Sequence, residues 1–240
     1  MQFIAHLVAD FLLQSEKWCI EKEKHVLSKQ HLLHGVIVAV TAYIFSLDVY
    51  FIISALIIGF SHLAIDVLKS YCIQKREDKK ASIFFIDQLL HVILLSLVSW
   101  IYLKNYTPNY FFDFQLNLKV VTVFAAFLFC AKPANIFIRH TFDLFGLTIA
   151  KQPTTGTTDN TSEKELENAG KVIGIMERFM ALGLILVGQY GAVGLIIAAK
   201  SILRFSSPQK NEYILVGTLL SFGCAILIGL LINQFIISVK

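Results

Sequence analysis

In a chain of 240 residues, 56% hydrophobic and only 16% charged, there is more apolar surface than one soluble core of that length buries, so an integral membrane protein is expected. The net charge of +4 does not point to a nucleic-acid partner, because Lys and Arg gather at the ends of the apolar stretches and report topology instead. The four cysteines, Cys19, Cys72, Cys130 and Cys224, form no C-x-x-C pair and are read as thiols without a disulfide or metal role.

Met1–Gln14 is expected as a short apolar helix, too short to cross the bilayer. No basic residue precedes its apolar run and no small-residue cleavage site follows, so it does not read as a signal peptide. Ser15–Gln30 is a mixed-charge stretch with four lysines and three glutamates. Spans are expected over His31–Leu47 and Phe51–Leu68, joined by a minimal turn near Asp48. A basic loop with Lys69, Lys75, Arg76, Lys79 and Lys80 follows, then a third span over Ile83–Leu103, where Trp100 and Tyr102 suit an interfacial belt. A fourth span over Lys119–Arg139 is expected to break at Pro133, which removes a helical hydrogen bond.

Phe142–Ala150 is expected along the interface, and Lys151–Ser162, rich in Thr, as a flexible cytoplasmic linker. Ser162 followed by Glu165 has the spacing of a capping box and predicts a helix start near Glu163. Gly170–Val187 and Gly191–Leu203 form a hairpin around Gln189 and Tyr190, and Asn211–Val239 is the last span. The fold class is therefore all-α: a polytopic transmembrane helix bundle of about seven spans plus the short N-terminal helix. It reads as one integral membrane domain over 1–240, with a His/Asp-rich part (1–103) and a C-terminal helical part (163–240). The basic loops belong on the cytoplasmic side by the positive-inside rule, which implies a multi-pass protein of the inner membrane.

The candidate site lies in the first ninety residues, which hold His6, Asp10, Gln14, His31, His34, His62, Asp66, Lys69, Asp87, Gln88 and His91. Spacings of three or four put His6, Asp10 and Gln14 on one helix face, and likewise His31 with His34, His62 with Asp66, and Asp87 with His91. Ionisable groups in apolar helices are costly to bury and usually functional. Imidazoles with carboxylates suit zinc, iron or manganese, so His6, His31, His34, His62, Asp66, Asp87 and His91 are candidate ligands of a divalent metal, with zinc or manganese favoured. A metal-bound water and a spare carboxylate among Asp10, Asp66 and Asp87 acting as base would give metal-assisted hydrolysis.

The site is placed at the cytoplasmic ends of its spans, and the bland alternative is that the same groups satisfy one another between helices. Lys69 and Arg76 are phosphate-binding candidates, or simply topology determinants. Downstream, Arg178 with Lys132, Arg139, Lys171, Lys200 and Arg204 form a candidate anion or headgroup site; the alternatives are an ion pair of Glu177 with Arg178 and a solvated helix start.

His6–Gln14, His31-Leu-Leu-His34-Gly35, Ser61–Lys69 and Asp87-Gln88-Leu-Leu-His91, with Asn168–Arg178 and Ala198–Phe205 downstream, resemble a bacterial membrane family, the domain of unknown function 3307. That resemblance implies no activity. More remotely, the intramembrane histidines resemble those of metal-dependent hydrolases of bacterial inner membranes, although the histidine-arginine and threonine-histidine-serine pieces of those proteins are not reproduced here. The likeness implies hydrolysis by analogy alone; the favoured reading of the residues is a metal site at the cytoplasmic face that hydrolyses a lipid or lipid-linked phosphate. The rival readings are a proton- or metal-ion-coupled transporter and a non-catalytic scaffold.

Overall fold

The computed structural model of the chain describes residues 1–111, 117–147, 160–204 and 211–238, side chains at 160–169, 203, 204, 211–214 and 236–238 apart. Its contacts divide the chain into two compact units, Met1–Asn117 and Leu118–Lys240.

In the first unit, α1 (Gln2–Leu7) runs directly into a π-helical turn, Val8–Leu13, and Gln14 ends it in an extended conformation. The polar helix α2 (Glu16–Lys24) starts where the Ser15 side chain accepts from the Trp18 N–H. Three long helices follow, α3 (Lys29–Ser46), α4 (Ile52–Lys75) and α5 (Lys80–Asn105). α4 packs against both α3 and α5, α1 lies against α3 and α5, and α2 lies against α3 and α4. The bundle has polar groups inside and apolar groups outside: Ile53, Leu56 and Phe60 on α4 are 68%, 61% and 75% exposed, while His62 and Asp66 are 2% and 3% exposed. That inversion is what a lipid-facing helix requires.

α3 and α4 touch at Gly59. A Cβ there would lie 2.7 Å from the Ala39 Cβ and 2.8 Å from the Gly35 carbonyl oxygen, so only glycine allows the approach. One turn along, this contact brings His34 and His62 face to face. The turn near Asp48 is an anchor point in its own right. Asp48 is buried and accepts from the Tyr50 N–H (3.0 Å), the Tyr102 hydroxyl (2.6 Å) and the Asn109 N–H (3.2 Å), tying the α3–α4 turn to the end of α5.

In the second unit α6 (Leu118–Cys130) and α7 (Lys132–Leu144) are bent by 50° at Ala131, with Pro133 in the first turn of α7. The break expected at Pro133 thus falls two residues earlier, where the missing N–H is harmless. The α8 helix (Asn160–Leu186) begins three residues before the predicted Glu163. It turns at Gly188, in the left-handed region at φ 76°, into α9 (Tyr190–Arg204), and α10 (Asn211–Ser238) closes the chain. Leu182, Ile185 and Phe222 build the core of this unit. The linker over Lys151–Ser162 lies outside the described residues up to the start of α8, and so does the end of the interfacial stretch Phe142–Ala150.

Among the described residues three helical segments are long and apolar enough to cross a membrane, Val49–Lys75, Glu77–Asn105 and Leu215–Phe235, or four if the bent α6–α7 pair is one span. About seven spans is therefore not what length and composition support. α3 has the length, at 18 residues, but Lys29, Gln30, His31 and His34 crowd its first turns. α9, with 15 residues, is shorter than a bilayer needs.

Gly59→Ala is expected to cost about 1–3 kcal/mol, because the added methyl overlaps Ala39 and the Gly35 carbonyl. Gly223→Ala, where nothing lies within 4 Å, serves as the neutral control; thermal unfolding in detergent measures both.

Candidate functional site

Four elements converge on one buried cluster. The N-terminal helix supplies His6 and, from its π-helical turn, Asp10; α3 supplies His34; α4 supplies His62 and Asp66; α5 supplies Asp87 and His91. Helical spacing does the local work, since His62 with Asp66 and Asp87 with His91 each stand one turn apart on an inward face. π-bulges occur often at functional sites, and this one carries Asp10.

The geometry of the donor atoms is specific. His34 Nε2 and His62 Nε2 are 3.1 Å apart, and Asp10 Oδ1 lies 3.3 Å from the first and 3.4 Å from the second. Metal–ligand bonds of about 2.0–2.1 Å put the ligands of a tetrahedral ion about 3.3–3.4 Å apart, so these three atoms have the dimensions of one face of a coordination tetrahedron. Around them, His6 Nδ1 is 3.5 Å from Asp10 Oδ1, and Asp66 Oδ2 is 3.8 Å from His62 Nε2 and 3.9 Å from His34 Nε2. Three overlapping sets each bring three donor atoms within 4.8 Å of one another: His6, Asp10 and His62; His34, His62 and Asp66; Asp66, Asp87 and His91.

The hydrogen bonds expose what is missing. Gln88 Nε2 donates to Asp87 Oδ2 at 3.1 Å, which turns Gln88 Oε1 towards His6 Nε2 at 3.3 Å. His6 Nε2 must then donate, and in the neutral ring Nδ1 carries a lone pair facing Asp10 Oδ1. Among the described residues neither His6 Nδ1 nor Asp10 Oδ1 has a hydrogen bond of ordinary geometry, and the same holds for Asp87 Oδ1 and both ring nitrogens of His91. Two lone pairs opposed in a buried site call for a cation between them. A proton can take that place: burial lowers the His6 imidazole, and Asp10 more than reverses this, raising it above its ordinary value. Burial likewise opposes the Asp10 carboxylate, but His6 and His62 beside it hold its carboxyl well below the usual range.

Charge is balanced by two lysines. Lys69 donates to Asp87 Oδ2 at 2.7 Å, and Lys22, from α2, donates to Asp66 Oδ2. Three carboxylates facing two ammonium groups leave one negative charge for a cation or proton to neutralise.

His31 stands apart from the three sets. Its Nδ1 accepts from the Ser28 N–H (3.2 Å), with the Ser28 hydroxyl 2.8 Å away, and its Nε2 meets the Ser70 hydroxyl at 2.9 Å, so both ring nitrogens are engaged in closing the start of α3. Gln14, with its amide turned to match its partners, donates to the Asp10 carbonyl (3.2 Å) and accepts from Lys22 (2.7 Å). Lys22 is the residue that sequence reasoning missed. It lies in a mixed-charge stretch that reads as solvated, and only the fold turns it inward.

The basic residues of the second unit separate. Arg178 is buried and donates to the carbonyls of Cys130 (2.7 Å) and Ala131 (3.3 Å), to Asn135 Oδ1 (2.6 Å) and to the Ser221 hydroxyl (3.0 Å). It secures the break between α6 and α7 by taking carbonyls that the helix end leaves open. Lys200 pairs with Glu177, so the pairing expected for Glu177 goes to Lys200 and not to Arg178. Arg139, Lys171 and, in the first unit, Arg76 are exposed, Lys132 is half-buried, and the Arg204 side chain is outside the described residues.

A family model described as a protein of unknown function (DUF3307) matches residues 1–121, which include the whole first unit, and the chain belongs to that family. No curated protein and no solved structure matches it.

Arg178→Lys is expected to destabilise the protein by about 2–4 kcal/mol, because an ammonium cannot reach the four acceptors of the guanidinium fork and leaves buried carbonyls unpaired. Denaturant unfolding in detergent measures it.

Proposed function

We propose that this member of the family holds a divalent cation in its first unit, ligated by Asp10, His34 and His62 with His6 or Asp66 completing the shell, and uses it for hydrolysis of a lipid or lipid-linked phosphate. The observation that carries the reading is the set of nitrogen and oxygen atoms at 3.1–3.4 Å, in which Asp10 Oδ1 finds no hydrogen bond. Two imidazoles and a carboxylate form the ligand set of a catalytic zinc, and with His6 or Asp66 as the fourth ligand a water would take a fifth position; manganese is the next candidate. A bound cation would supply a water nucleophile at neutral pH, and Asp87, outside that ligand set, would act as base. The inner bacterial membrane, with the site reached from the cytoplasm, is the setting that the basic loops favour.

A second reading has its own observation. His62 lies ten residues, about 15 Å, from the start of α4, and Asp66 nine residues, about 14 Å, from its end, because the helix continues past Leu68 to Lys75. A polar site halfway along a spanning helix is also where transporters bind their ions.

Elemental mass spectrometry on detergent-purified protein is expected to find about one divalent metal per chain, lost from a folded His34→Gln, His62→Gln double variant. Absence of metal from wild type after zinc and manganese loading would overturn the cation reading. Release of phosphate from lipid phosphates, against cation flux into proteoliposomes, then separates hydrolysis from transport.

A further inference from the structure

We infer that Lys22 is a tethered occupant of the cation's place at Asp66, so that a divalent cation enters by exchange with this ammonium group and thereby frees helix α2. The inference rests on the cation-site reading above and adds how that site is regulated.

Lys22 sits on the helix that covers the cluster, with its side chain 8% exposed, and donates to Asp66 Oδ2. That oxygen is the one facing His62 Nε2 at 3.8 Å and His34 Nε2 at 3.9 Å. A cation held by the two imidazoles and Asp66 would therefore compete with the ammonium for a single oxygen, at a separation of about 4 Å in a low-dielectric interior, where like charges repel strongly. Lys69 is not in this position. It pairs with Asp87 from α4, the helix that also carries Asp66, and so moves only with the bundle.

α2 has little else to keep it down. Beyond Lys22, Glu23 pairs with Lys80 at 2.6 Å through side chains 32% and 43% exposed, and the Glu23 carbonyl accepts from Gln74 at 3.1 Å. Exposed contacts of this kind contribute little. Ile20 faces outward at 53% exposure, and Trp18 is only half-buried, so the apolar hold on α2 is partial. Displacing Lys22 therefore removes the buried ion pair that, among the described residues, joins α2 to the cluster, and the cover loosens as the ion arrives.

The test measures zinc affinity by chelator competition and hydrogen exchange over Glu16–Lys24, on full-length protein in detergent. In wild type, zinc is expected to speed exchange in α2. Lys22→Met should bind zinc about tenfold or more tightly, since one competing charge is gone. Its α2 should exchange fast with or without the metal, whereas Lys22→Arg should bind no more tightly than wild type. If zinc binds wild type and α2 exchange is unchanged or slower, this inference falls while the cation site stands. If folded Lys22→Met binds no tighter than wild type, it falls as well, and if neither protein binds zinc, both readings fall. The wild-type exchange measurement needs no variant, so a poorly folded Lys22→Met leaves the test intact.

Discussion

Three carboxylates, Asp10, Asp66 and Asp87, are held inside a bundle whose outer faces are apolar, and the cost of keeping them from water governs everything around them. Each needs a positive or hydrogen-bonding partner in place, and each finds a different one. Asp87 has Lys69 and Gln88, Asp66 has Lys22, and Asp10 has a ring of imidazoles. Removing one partner would leave a buried charge without compensation, which is far more costly than never having had the pair. The arrangement is accordingly an interdependent set, in which two lysines face three carboxylates.

The scaffold serves that set from both ends. Gly59 lets α4 approach α3 closely enough for His34 and His62 to meet, and Asp48 fixes the far turn by drawing Tyr50, Tyr102 and Asn109 together. His31 closes the start of α3 through Ser28 and Ser70. The π-helical turn adds a residue to the N-terminal helix where Asp10 must face inward. Neighbours of this kind fix the helix ends and the approach that set the separations of the His and Asp side chains.

Most of the cluster could be read from the sequence because helical periodicity places residues three and four apart on one face, and polar residues on that face stand out against Leu, Ile and Phe. His6, Asp10, His34, His62, Asp66, Asp87 and His91 were legible for this reason. Lys22 was not, since a lysine among other charges carries no periodic contrast. Nor was the role of His31, because a histidine three residues after a serine fits a capping box as well as a ligand pair. About seven spans were expected from apolar content alone; among the described residues α3, with polar residues in its first turns, and α9, with 15 residues, do not confirm that count. The depth of the site shifted because α4 continues through Ser70 and Cys72 to Lys75, polar positions that look like loop in sequence and are helix in the fold.

Buried polar groups elsewhere in the chain show what a purely structural role looks like. Arg178 has four acceptors at 2.6–3.3 Å, and Asp48 has three donors at 2.6–3.2 Å. Both are satisfied in the ordinary way, by hydrogen bonds of normal length. The His/Asp cluster differs in kind: Asp10 Oδ1 has three imidazole nitrogens at 3.3–3.5 Å and bonds to none, and His91 Nε2 stands 3.3 Å from an Asp87 oxygen without bonding to it. A scaffold that only locked helices together would gain nothing from opposing lone pairs, since apolar packing achieves the same end without burying charge. Donor atoms converge on one small volume there, His34 Nε2 and His62 Nε2 at 3.1 Å and Asp10 Oδ1 at 3.3–3.4 Å from both, and that convergence distinguishes the cluster from Arg178 and Asp48.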